Sequence, residues 1–126
     1  MRVFKSPWFE KFARKQDIGD DVLRDAVWRA ERGLIDADLG GGVIKQRVAR
    51  AGQGKSGGFR TVVLFRMSQR AIFVFGFAKS EQANLGAAEL KTFKRAAKVS
   101  LGLSDAAMDA EAAEGRLTEV SYDEDL

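Results

Sequence analysis

Residues 43–79, VIKQRVARAGQGKSGGFRTVVLFRMSQRAIFVFGFAK, decide the fold. Three runs within them, 43–50, 59–67 and 71–78, are rich in Val, Ile and Phe. The links between them are Gly52-Gln53-Gly54-Lys55-Ser56-Gly57-Gly58 and Ser68-Gln69-Arg70. Both are too short for the crossover that parallel strands need, so the runs predict a three-stranded antiparallel meander. Side chains alternate along a strand. Ile44 and Val48 therefore share one face, and Lys45 and Arg47 the other. Arg60 and Arg66 share a parity with Val62 and Leu64, which leaves Thr61, Val63 and Phe65 opposite.

Outward from the meander the period changes. Upstream, residues 2–5 (RVFK) read as a short opening strand, and Ser6-Pro7 as a helix start with a hydroxyl cap and Pro at the first helical position. Phe9, Phe12 and Ala13 would share a face of that helix. Asp20 or Asp21 can cap a second one, where Leu23, Ala26, Val27, Ala30 and Leu34 recur at the spacing of a buried stripe and Gly33 sits near the end. Downstream, Leu90, Phe93, Ala97 and Leu101 mark a helix ending at Gly102. Ser104 can cap a last helix to about Ala113, stopped by Gly115; 117–122 would be extended or frayed, and Asp123-Glu124-Asp125 solvated. The expected class is α+β: two N-terminal helices packed on a small twisted antiparallel sheet, with a helical C-terminal extension.

The 126 residues, 45% hydrophobic, suit one domain with a modest core. Without Cys or His, disulfides, thiolate metal sites and Ser-His-Asp triads are excluded. No apolar run approaches the roughly 20 residues of a membrane span, and charges interrupt the N-terminus too often for a signal peptide. The expectation is a cytoplasmic protein without cofactor or metal. Charge is polarised along the chain. Residues 1–79 carry 16 Lys and Arg against 8 acids, and residues 80–126 carry 5 against 10. Eight basic residues and no acid fall within 40–79; eight acids and one base follow from Ser104. A strand face guarded against edge pairing accounts for some of the basic run. It does not account for forty residues without a carboxylate, whereas a polyanion does.

The glycine-rich link contains Gly-x-Gly-Lys-Ser, but Ala49 stands where the phosphate-loop spacing needs Gly, and a strand rather than a helix follows. A hairpin loop carrying one phosphate-attracting Lys is the better reading. Phe73, Phe75 and Phe77 at period two read as core, although such rows also stack RNA bases. Trp8 and Trp28 read as packing residues. The acidic end is a solubilising tail, or a segment that folds back on the basic face and competes with RNA.

Lys45 and Arg47 on a strand, then Ser56-Gly57-Gly58-Phe59-Arg60, then two hydrophobic strands, resemble the RelE/HigB toxins of bacterial toxin–antitoxin systems. The segment Phe77-Ala78-Lys79-Ser80-Glu81-Gln82-Ala83-Asn84-Leu85 looks like the corresponding segment of one branch of that superfamily. The match covers about residues 1–103, taken as a RelE-like toxin domain, with 104–126 as an acidic C-terminal extension. It implies a ribosome-dependent mRNA endoribonuclease in which the ribose 2′-OH attacks the adjacent phosphorus without a metal. It implies two partners as well: the ribosome with its mRNA, and a cognate antitoxin, expected to be a helix-turn-helix protein encoded nearby. Carried over residue by residue, the catalytic set is Lys45, Arg47, Arg60 and Lys79. Arg50, Lys55 and Arg66 are assigned to holding RNA or ribosomal phosphates. Some relatives use a Tyr or His near the final strand; here there is no His, and the only Tyr, Tyr122, lies in the acidic tail. That leaves the general base to a Lys of lowered pKa or to none. The superfamily also contains non-catalytic inhibitors that bind DNA gyrase, which is the alternative function.

Overall fold

The computed structural model describes residues 1–50, 54–80 and 84–120, without the side chains of Arg50, Lys55 and Ser56. The elements run β1 (Arg2–Lys5), α1 (Pro7–Lys15), α2 (Asp20–Glu31), β2 (Ala37–Gly40), β3 (Val43–Arg50), β4 (Gly54–Arg66), β5 (Arg70–Ala78), α3 (Ala87–Ser100), α4 (Asp105–Ala113) and β6 (Thr118–Glu119). The meander forms as read, with β3–β4 and β4–β5 antiparallel. β4 begins at Gly54, so it takes in much of the glycine-rich stretch assigned to a loop.

The expected small antiparallel sheet behind two leading helices is corrected. The sheet is mixed and six-stranded, in the order β2-β3-β4-β5-β1-β6. The opening strand read at residues 2–5 forms as β1, but it pairs parallel with β5, Val3 opposite Ala71 and Phe4 opposite Ile72. Everything between those two strands forms the crossover, so no local signal announces the pairing. β6 adds antiparallel to β1, and β2 pairs with β3 across a turn in which Gly40, Gly41 and Gly42 all have φ between 62° and 83°. That left-handed run is open only to glycine without strain.

Helices cover both faces. Against α1 and α2 lie Val3, Ile44, Val48, Val63 and Phe73; Val120, just past β6, joins the same core. Against α3 and α4 lie Phe4, Val43, Val62, Leu64 and Ile72, with Ala97, Leu101 and a fully buried Met108. The strand parities are thus as read; of the Phe row, Phe73 and Phe77 are buried as read, and Phe75 only partly. A bulge between Val62 and Val63 sets Val62 opposite Phe75 and Val63 opposite Phe73. Phe73 therefore joins the α1–α2 core, and Phe75 packs partly on the other face.

Local signals hold at most helix ends. Ser6 Oγ accepts from Phe9 N at 3.1 Å, and Ser104 Oγ from Ala107 N at 3.1 Å. The cap of α2 differs: Gly19 occupies it, and Asp20 and Asp21 fall in the first turn, where carboxylates suit the helix dipole. Leu34 lies beyond the end of α2 and is exposed, as are Trp8 and Trp28, at 46% and 57%, contrary to their reading as packing residues. Gly76 lets α1 approach β5, since a Cβ there would lie 2.5 Å from Phe12 Cε2. Arginines fasten the C-terminal helices to the far end of the sheet. Arg66 donates to Leu101 O at 2.7 Å; Arg70 donates to Ser100 O at 3.0 Å and to Asp105. Arg2 binds Asp109 and Glu119.

Lys5 is nearly buried between Glu10 at 2.8 Å and Asp20 at 3.1 Å. Burial alone would lower its pKa, but the bonds to Glu10 and Asp20 outweigh it and raise the value above the usual 10.5. The Lys5 bond, then the Arg14 bond, holds Glu10 below the usual 4.5. The raised Lys5 stabilises the fold fully below pH 10.5 and loses that contribution as pH climbs through its folded value. The depressed Glu10 contributes above pH 4.5 and loses its share as pH falls through its folded value. Thermal melting followed across pH should show a plateau between these limits. Lys5→Met should lower the plateau by about 2 kcal/mol, the scale of hydrogen bonds to charged groups, and should remove the Lys5 share of the alkaline fall. An alkaline limb identical in both proteins would contradict this assignment.

Candidate functional site

Three of the cations singled out in the sequence meet on the sheet face that carries Val43 and Val62. Arg47 on β3 lies directly opposite Arg60 on β4. Lys45, opposite Val62, is the diagonal neighbour of Arg60, and such neighbours stand about 7–8 Å apart. On the other flank Arg60 is opposite Phe77 of β5, and Lys79, exposed, follows just past the end of that strand. Lys45, Arg47 and Arg60, with Asp36 and Ala37, line a cavity of about 200 Å³.

The electrostatics are unbalanced. Like charges directly opposed across a ladder are destabilising, so the Arg47–Arg60 pair costs the fold energy. Asp36 relieves only one side of it: its carboxylate accepts from Arg47 N at 2.6 Å and lies 3.4 Å from Arg47 Nε. A buried nitrogen of Arg60, Nη1, has no hydrogen-bond partner among the described residues. An unspent buried donor is expensive, and an incoming oxyanion would satisfy it. Within the cavity three cations thus stand about one carboxylate.

The mount beneath is rigid. Gln46, fully buried between Lys45 and Arg47 in sequence, accepts from Asp36 N at 2.8 Å and donates to Ala26 O at 2.9 Å and Leu34 O at 3.3 Å. Arg29 of α2 donates to Arg47 O at 2.7 Å and to Asp25 at 3.1 Å. The end of α2 and the start of β2 are thereby sewn to β3, and every donor and acceptor of the Gln46 amide is engaged.

The other expected residues fall differently. Arg66 is six residues along β4 from Arg60, roughly 20 Å away, and is occupied with the end of α3. The side chains of Arg50 and Lys55, and Tyr122, lie outside the described residues. Asp105, Asp109 and Glu119 meet Arg2 or Arg70 at the opposite end of the sheet, and residues 123–125 lie outside the described residues. Two neighbours of the site were missed by the sequence reading. Asp36 carried no signal of its own. Asn84, whose Oδ1 accepts from Lys45 Nζ at 3.2 Å, sat in the quoted 77–85 segment but was given no role. A larger groove, about 710 Å³, lies along α2 beside Trp28; its charged lining is Asp21, Asp25 and Glu31 with Arg24, so size does not mark the chemistry.

The family model described as RelE toxin of the RelE / RelB toxin-antitoxin system matches residues 1–120. No curated protein matches the chain. Among the described residues no helix is long and apolar enough to cross a membrane.

Proposed function

The chain belongs to the RelE toxin family and is the toxin of a toxin–antitoxin system with a cognate antitoxin, and on that premise we propose that it cleaves mRNA on the ribosome. The observation that carries this reading is the opposed Arg47–Arg60 pair, with an Arg60 Nη1 that has no hydrogen-bond partner among the described residues, in a cavity that Lys45 also lines. In the proposed reaction the 2′-oxygen forms a bond to phosphorus and the bond from phosphorus to the 5′-oxygen breaks. The products are a 2′,3′-cyclic phosphate and a 5′-hydroxyl. Negative charge grows on the non-bridging oxygens, where two guanidinium groups on rigid strands stabilise it electrostatically. The ammonium groups of Lys45 and Lys79 are the candidates to supply a proton to the departing 5′-oxygen. The proton of the 2′-hydroxyl leaves to a base that the ribosomal site or water supplies. A cognate antitoxin, expected to be a helix-turn-helix protein, would neutralise the toxin.

Induced expression followed by primer extension on cellular mRNA tests the proposal. Cuts in phase with codons are expected, with arrest relieved by the antitoxin. Intact mRNA accompanied by DNA damage would overturn it in favour of a gyrase-binding inhibitor.

A further inference from the structure

Beside the Arg60 row the β5 strand loses its β1 neighbour but keeps β4. β1 pairs with β5 only as far as Lys5 opposite Phe73, after which the chain turns into α1. The remaining half of β5 and the outer side of α1 enclose an open groove of about 450 Å³, lined by Trp8, Lys11, Phe12, Lys15, Phe75 and Phe77 among others. Trp8, Lys11, Phe12 and Lys15 recur at the spacing of one helix face. Trp8 is half exposed, stacked on Phe12 at 5.2 Å and 15°, and 4.6 Å from Phe75. Among the described residues no carboxylate lines the groove. Glu10, the one acid of α1, is turned to Lys5 and Arg14. Lys11 and Lys15 are exposed, and neither has an ion-pair partner among the described residues. Phe77 of the groove is the cross-strand partner of Arg60 of the cation site, so the two residues stand one strand spacing apart, about 5 Å.

We infer that this groove binds the single-stranded RNA flanking the cleaved phosphate, with a base stacked on Trp8 and backbone phosphates on Lys11 and Lys15. The inference rests on the ribonuclease reading of the Arg60 site. An aromatic platform beside lysines, without acids, is how proteins hold single strands irrespective of sequence. An apolar peptide would gain nothing from the two lysines.

The test uses the full chain without ribosomes and a labelled single-stranded hexaribonucleotide. In a Trp28→Phe background, RNA should quench Trp8 emission, a signal that a merely structural Trp8 would not give. Trp8→Ala should weaken RNA binding about 10-fold, within the range for loss of one stacking residue. Lys11→Ala with Lys15→Ala, both on exposed positions, should reduce the slope of log K against log salt by about 1.4. Circular dichroism checks that each variant folds. Unchanged affinity and slope in folded variants, with no quenching, would overturn the inference. So would losses confined to antitoxin binding, or to sedimentation with vacant ribosomes while oligonucleotide binding stays intact. Quenching in a protein that cuts no mRNA would support the groove and overturn the cleavage reading. Cleavage without quenching would do the reverse.

Discussion

Arg60→Ala is expected to lower ribosome-programmed mRNA cleavage by roughly 10²–10³-fold, the scale for losing one preorganised oxyanion donor. The loss should appear in the chemical step, with antitoxin binding preserved. Stability should hold or rise slightly, because the substitution removes a cation opposed to Arg47 and a buried nitrogen without a partner among the described residues. Arg60→Lys should recover only part of the activity, since an ammonium cannot offer two parallel donors to a phosphate. Single-turnover cleavage read beside a melting curve separates the alternatives. Full activity in a folded Arg60→Ala protein would remove the residue from the mechanism, as would inactivity arising only from unfolding.

Phe73→Ala is expected to cost about 3–5 kcal/mol, the range for deleting a fully buried aromatic ring. Phe73 has no exposed surface, and its ring lies 5.2 Å from that of Phe9 in the core under α1. Phe75→Ala should cost clearly less, because Phe75 is only partly buried. A regular alternating strand would give the two residues matched environments; the bulge at Val62–Val63 separates them. Denaturant unfolding of both variants decides the point, and equal losses would place the bulge wrongly. Since Phe75 also lines the groove beside α1, its variant should lose oligonucleotide affinity where Phe73→Ala does not.

What the sequence by itself determined is what neighbours along the chain decide. The meander followed from short links between β-rich runs, and the ends of α1 and α4 from Ser6 with Pro7 and from Ser104 with Gly115. Parity alone put Lys45 and Arg47 on one face of β3 and Arg60 with Val62 on β4, so the cation cluster was legible once those strands paired. Only the tertiary structure decided the rest. The parallel β1–β5 pair joins residues almost seventy positions apart, and β2 and β6 are too short to show a period. Asp36 and Asn84 reach Arg47 and Lys45 from other segments, and no spacing rule connects them. The bulge that parts Phe73 from Phe75 arises from fitting β5 against β4. Local rules read dihedral preference and face, whereas register, strand partner and side-chain company are set by which surfaces are buried together.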